Sequence, residues 1–165
     1  MIASLTSMKQ LVKNIRKSRV VLNLQATGKR EAVYEMLSKA SEKGLKIDPA
    51  AVTDIVLANE KTISSGLGYG VAFPHAEIEG LKEETIIFGT SPKGMLFHAI
   101  DKKPTHLVTL FLTPAGEYKD YLAHLSLLAD LSHLTMYVVM ILESPNEKVF
   151  RSRMIELLKK GGMRL

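Results

Sequence analysis

The sequence predicts an α/β layered sandwich, on three observations. Apolar residues recur at helical spacing in several stretches, strand-length apolar runs lie between them, and the two patterns mingle along the whole chain. Leu5, Met8, Val12 and Ile15 put one apolar stripe on a helix over residues 5–17. Val20 to Leu24 reads as a strand. Thr27 is a helix cap before Gly28, and the helix that follows carries Val33, Met36, Leu37 and Ala40 on one side and stops at Gly44. Asp48-Pro49 is a second start signal, with proline at the first helical position and Val52, Ile55 and Val56 on the apolar side, running to about Asn59. Val71-Ala72-Phe73 and Thr85 to Gly89 read as strands. His106 to Leu112 is the clearest strand, a continuous apolar run suited to a central place in a sheet. Leu122, Leu125, Leu128, Ala129 and Ser132 mark a long helix. Met136 to Leu142 fits either period. Ser144-Pro145 opens the last helix, which carries Val149, Met154, Leu157 and Leu158.

The 165 residues are enough for one domain with a sizeable core, and 46% hydrophobic against 24% charged residues is an ordinary globular balance. The chain has no cysteine, which excludes disulfides, thiolate catalysis and cysteine-based zinc sites. No apolar run approaches the roughly 20 residues of a membrane span, and the N-terminus lacks a basic-then-apolar leader, so the cytoplasm is the expected compartment. The net charge of +5 is uneven. Residues 1–30 hold Lys9, Lys13, Arg16, Lys17, Arg19, Lys29 and Arg30 with no acid, while the other 135 carry 15 basic and 17 acidic groups. Residues 1–17 are expected to be a basic helix, part of or appended to a single domain over 18–165. That helix is expected to be a solvated face. It has no aromatic residue to stack on bases, so nucleic acid is an unlikely partner.

The richest segment runs from Glu60 to Ala76. Gly66, Gly68 and Gly70 alternate, an apolar triplet follows, and Pro74 precedes His75. Proline fixes one backbone angle just before an imidazole that can titrate, bind metal or act as a nucleophile near neutral pH. The residues alone leave those three roles open.

The spacing Glu60, Leu67, Gly68, Val71, Ala72, Phe73, Pro74, His75, Ala76 fixes nine positions over seventeen residues. It resembles the signature of the cytoplasmic enzyme IIA domains of the bacterial phosphotransferase system, in the fructose, mannitol and nitrogen-regulatory branch. Phe73 stands where that family usually has an aliphatic residue. Thr27 to Val33, Phe97 to Asp101 and Lys103 to Val108 extend the likeness over about residues 18–160. The resemblance implies a three-layer α/β/α sandwich with a mixed central sheet. It also implies that His75 accepts a phosphoryl group from a histidine-phosphorylated carrier protein and passes it to a transporter IIB domain or uses it as a regulatory mark. No cofactor and no metal are expected. Amides of the glycine segment and the hydroxyls of Ser64 and Ser65 are expected to hold the phosphate oxygens. Two places depart from the family. Asn59 replaces an arginine, keeping a donor without its charge, and Tyr121 replaces a second active-site histidine, with a hydroxyl able to bond a phosphate oxygen. His124, nearly one turn later, is a candidate substitute for that histidine. His98, His106 and His133 show no ligand spacing and read as structural. A regulatory binding module without phosphotransfer to a sugar is the alternative reading.

Overall fold

A strand with apolar residues on both of its faces needs cover on both, and in the computed structural model β6 (Thr105–Pro114) has it. The structure describes residues 4–62, 64–134 and 136–162. β6 pairs antiparallel with β5 (Thr85–Met95) on one side. On the other it pairs parallel with β3 (Val71–Ala72) and then β4 (His75–Ile78). β1 (Arg19–Val21) adds to β5 in parallel, and β2 (Gly66–Gly68) adds to β3 antiparallel. The sheet is therefore mixed, in the order β1-β5-β6-β3-β2 with β4 also on β6.

Alternation along the central strands builds two cores. Leu107 and Phe111 of β6, with Ile86 and Phe88 of β5, face α1 (Leu5–Lys17), α4 (Lys119–Ser132), α5 (Tyr137–Leu142) and α6 (Glu147–Gly162). Val108, Leu110 and Leu112, with Ile87, face α2 (Lys29–Glu42) and α3 (Pro49–Thr62). The result is the expected three layers, helix on sheet on helix. Burying a Phe or Leu side chain this completely contributes about 2 kcal/mol. α1 packs Leu11 and Ile15 into the first core, so the basic helix lies against the sheet layer with its charges outward.

Several local expectations are met. α1 spans the expected residues, and Ser4, not singled out in the sequence, caps it by accepting from Ser7 N–H at 3.1 Å. Asp48 Oδ1 accepts from Ala50 N–H and Ala51 N–H ahead of Pro49. Others need correction. α2 is entered through Gly28 without any side-chain cap, so Thr27 does not cap it; the Thr27 carbonyl is instead taken by Leu96 N–H at 2.9 Å. β1 ends at Val21 because Asn23 sits at φ 58, with its N–H on Thr90 Oγ1. Ile55 is exposed. α3 runs past Asn59 to Thr62. Residues Tyr137–Leu142 resolve as helix. α6 opens at Glu147, where Asn146 Oδ1 accepts from Val149 N–H at 2.9 Å.

Candidate functional site

The run from Val71 to His75 is not one strand. β3 stops at Ala72, Phe73 and Pro74 break the pairing, and β4 begins at His75 opposite Phe111. Proline has no N–H to donate, which suits a position between strands. Phe111 N–H holds the Pro74 carbonyl at 3.0 Å, fixing the peptide that leads into the histidine. Ala76 points into the α2/α3 core, so by strand alternation His75 points to the opposite face, toward α4.

There the imidazole stacks on Tyr121, with ring centroids 4.9 Å apart and planes 28° from parallel. Tyr118, one turn earlier on the same chain, meets it edge-on at 6.1 Å. Asn59 Nδ2 donates to the His75 carbonyl at 2.9 Å. A cavity of about 420 Å³ opens in front of the ring, lined by Asn59, Glu60, Thr62, Ser64, Ser65, Leu67, Phe73, Tyr118, Tyr121 and Leu125. It is large enough for a phosphoryl group. Among the described residues no lysine or arginine lines it.

The electrostatics favour a neutral ring. Partial burial holds the His75 pKa below its ordinary value of 6.5, opposed by the charges of Glu60 and Glu77. Burial also pushes the Tyr121 phenol up, helped by Tyr118, Glu60 and Glu84, so it remains a hydroxyl throughout the physiological range. At pH 7 the site therefore presents an unprotonated imidazole nitrogen beside a phenolic donor.

The sequence-derived site residues divide. His75, Asn59, Tyr121, Ser64 and Ser65 gather at the cavity. Gly66, Gly68 and Gly70 do not line it. They form the β2–β3 hairpin at the sheet edge, where Gly68 and Gly70 sit at φ 86 and 77 and a Cβ on Gly66 would lie 2.8 Å from Ala99 Cα. The segment's amides are also engaged internally. Ser65 N–H bonds the Glu60 carboxylate, Tyr69 N–H bonds Asp101, and Phe73 N–H bonds the Ser65 carbonyl. Ser64 Oγ donates to the Phe97 carbonyl at 3.2 Å, and Ser65 Oγ is buried with no partner among the described residues.

His124 does not line the cavity either. It is fully buried one turn beyond Tyr121, with Nδ1 on Glu84 Oε1 at 2.7 Å. The remaining histidines lie apart. His98 is exposed, His106 Nδ1 donates to the Ser91 carbonyl, and His133 meets Tyr69 edge-on. Among the described residues no three His, Asp or Glu side chains form a metal-binding group, and no helix is long and apolar enough to cross a membrane.

Two participants were not singled out in the sequence. Tyr118 was legible only as an aromatic three residues before Tyr121, which a helix brings to the same side. Lys29 reaches the site from α2, its Nζ 2.7 Å from Glu60 Oε2 and 3.4 Å from Ser64 Oγ. The run Thr27 to Val33 marked a helix start, and nothing in its spacing pointed toward residue 60.

Known proteins show the family and the fold. The family profile described as "Phosphoenolpyruvate-dependent sugar phosphotransferase system, EIIA 2" matches residues 13–154. A fructose-specific EIIA component from Haloferax volcanii is 33% identical over 109 residues, covering 66% of this chain and 69% of that protein. A nitrogen regulatory protein from Escherichia coli is 34% identical over 119 residues, covering 66% of this chain and 71% of that protein. The crystal structure of nitrogen regulatory protein IIA-Ntr from Neisseria meningitidis matches with a TM-score of 0.72 at 24% identity, over 87% of this chain and 98% of that one, a likeness of fold.

Proposed function

The chain belongs to the EIIA 2 family of the phosphoenolpyruvate-dependent sugar phosphotransferase system, and from that premise we propose that it carries a phosphoryl group on His75. The observation that supports this most is the half-buried, unprotonated imidazole at the head of β4, stacked on Tyr121 and open to a cavity of phosphoryl size. The donor is a small histidine-phosphorylated carrier protein. A ring nitrogen of His75 attacks the phosphorus in line, the phosphorus–nitrogen bond to the donor imidazole breaks, and its electron pair returns to that ring. The acceptor is a transporter IIB domain or a regulatory target. Relatives of both the fructose and the nitrogen-regulatory kind leave the two equally consistent with the family.

Positioning is the main contribution of the protein to such a transfer. The Tyr121 ring fixes the plane of the imidazole, and Asn59 fixes the His75 backbone. The Tyr121 hydroxyl supplies a donor for an equatorial oxygen. Incubation with phosphoenolpyruvate and purified general phosphotransferase proteins is expected to place one acid-labile phosphate on the chain. No label, beside a control EIIA that is labelled, overturns the reading.

Two further outcomes follow from the site. Tyr121→Phe keeps the stacked ring and removes the hydroxyl. It is expected to slow phosphoryl uptake by roughly 10² while stability changes by less than about 1 kcal/mol. Equal rates for the two proteins, by rapid quench, would show that the hydroxyl touches no phosphate oxygen.

The second concerns pH. Only the neutral imidazole is a nucleophile, and burial depresses its pKa. Uptake is therefore expected to be flat above pH 7 and to fall only below 6.5, following the His75 titration seen by NMR. The stability sign is the same. Between the folded and unfolded pKa values the unfolded chain binds more protons. The contribution of His75 is thus complete above about pH 6.5 and is lost as pH falls through the folded value.

A further inference from the structure

The cavity in front of His75 holds a carboxylate where a phosphate is to sit. Glu60 lines it, its charge is felt at His75, and its side chain is only 6% exposed. A phosphoryl group brings between one and two further negative charges. Two like charges in a poorly solvated pocket oppose each other strongly.

Glu60 is nevertheless held in place by the fold. Both of its oxygens accept from Ser65 N–H, at 3.2 and 3.1 Å, closing the turn that leads from α3 into β2. Its neutralising partner is Lys29. The ammonium lies 2.7 Å from Glu60 Oε2, 3.4 Å from Ser64 Oγ and 5.5 Å from the centre of the Phe97 ring, and its side chain is 14% exposed. Among the described residues no other cation takes this role nearby. Asn59 is uncharged and committed to the His75 carbonyl, and Tyr118 and Tyr121 are phenols. Glu77, on β4, adds further negative charge at the ring.

We propose that Lys29 is a positioning residue for phosphoryl acceptance: its buried ion pair cancels the charge of Glu60, so that the His75 cavity can take a dianionic phosphate. The proposal rests on His75 being the phosphoryl acceptor. Lys29 acts through Glu60 and need not touch the phosphate. Its placement on α2 explains why a chain with no arginine at position 59 keeps a cation behind the site. The pair also locks α2 to the end of α3, so the charge compensation is part of the fold and no mobile side chain has to supply it.

The test uses potassium phosphoramidate as donor, which phosphorylates imidazole with loss of ammonia and needs no protein partner. Lys29→Met removes the compensating charge while keeping most of the stem. It is expected to raise the His75 pKa by about one unit, the equivalent of tenfold or about 1.4 kcal/mol, and to slow phosphate uptake by about tenfold. Adding Glu60→Gln to Lys29→Met is expected to return both values to those of the wild type. A merely structural Lys29 would not produce this: the double variant lacks the ion pair as fully as the single one does. The proposal is overturned if Lys29→Met leaves the His75 pKa and uptake unchanged. It is equally overturned if the double variant stays as slow as the single one. A wild-type chain that takes no phosphate, from phosphoramidate or from phosphoenolpyruvate with the carrier proteins, overturns the phosphoryl reading itself, and the pKa comparison separates that outcome from a failure of the Lys29–Glu60 coupling.

Discussion

Replacing His75 with glutamine is expected to leave a folded protein that takes up no phosphate at all. The glutamine amide is not a nucleophile, so the loss is complete, unlike the graded effect of removing a supporting donor. The fold should tolerate the change. The imidazole is only half buried, and what it gives the fold is its contact with Tyr121, an aromatic pair of about 1 kcal/mol. The neighbouring strand pairing of β4 with β6 runs through the backbone and survives. Label transfer from phosphoenolpyruvate, followed by acid lability, reads the result. The informative alternative is His124, which the sequence offered as a second histidine. Its ring is sealed in the core with Nδ1 held by Glu84, so it cannot reach a donor. Residual label in His75→Gln would overturn the assignment of the acceptor, and its disappearance in the double variant His75→Gln/His124→Gln would move the site to that ring. His98→Gln, His106→Gln and His133→Gln are expected to take up label at the wild-type rate, since none of these side chains lies near the cavity.

What the sequence made legible here were the features that depend on neighbours in the chain. Asp48-Pro49 starts α3 through bonds two and three residues on, and the spacing of Leu5, Met8, Val12 and Ile15 needs only a helix to become one stripe, of which Val12 and Ile15 are buried, Met8 is partly buried and Leu5 at the open end is exposed. The run His106 to Leu112 could be read as central because every residue after the half-buried His106 is buried by one face or the other. The nine-position signature placed His75 and Glu60 correctly in the chain, but it could not show what each touches. The glycine segment illustrates why. Alternating glycines fit a phosphate cradle and a tight hairpin equally well, and only the close approach of Ala99 to Gly66 shows the second. The strand break at Phe73-Pro74 was hidden for the same reason: an apolar triplet before proline looks continuous until pairing with β6 shifts it. Lys29 and Tyr118 enter the site from α2 and from the start of α4, and no local spacing connects them to residue 75. The extra turn of α3 that carries Glu60 is held from outside by Lys29 and Ser65, so helix propensity alone ended it too early.

Glu84→Ala is expected to lower stability by about 3 kcal/mol. Glu84 lies at the entrance to β5, and its Oε1 accepts from Asn14 Nδ2 at 2.9 Å and from His124 Nδ1 at 2.7 Å. A carboxylate oxygen accepts, so Nδ1 is the atom that carries the hydrogen. Gln10 Nε2 extends the chain to Asn14 Oδ1 at 2.9 Å. The His124 and Glu84 side chains are 1% and 8% exposed, so neither finds much water if its partner goes. Alanine at 84 strands the Nδ1–H of His124, whose Nε2 already lacks a partner among the described residues, together with the Asn14 amide. Each buried donor left without an acceptor costs about 1–3 kcal/mol. In urea this corresponds to a midpoint lower by about 1.5 M at an unchanged slope. The double variant Glu84→Met/His124→Leu should recover much of the loss, because it removes both polar partners and refills the space. A Glu84→Ala protein within about 0.5 kcal/mol of wild type would show that the pair carries no net energy. The consequence reaches the site as well. His124 lies one turn from Tyr121 on α4, so loosening the Glu84 anchor frees the ring that orients His75. Glu84→Ala is therefore expected to slow phosphoryl uptake even at temperatures where it remains folded, whereas the doubly apolar variant, with α4 packed again, regains the rate along with the stability.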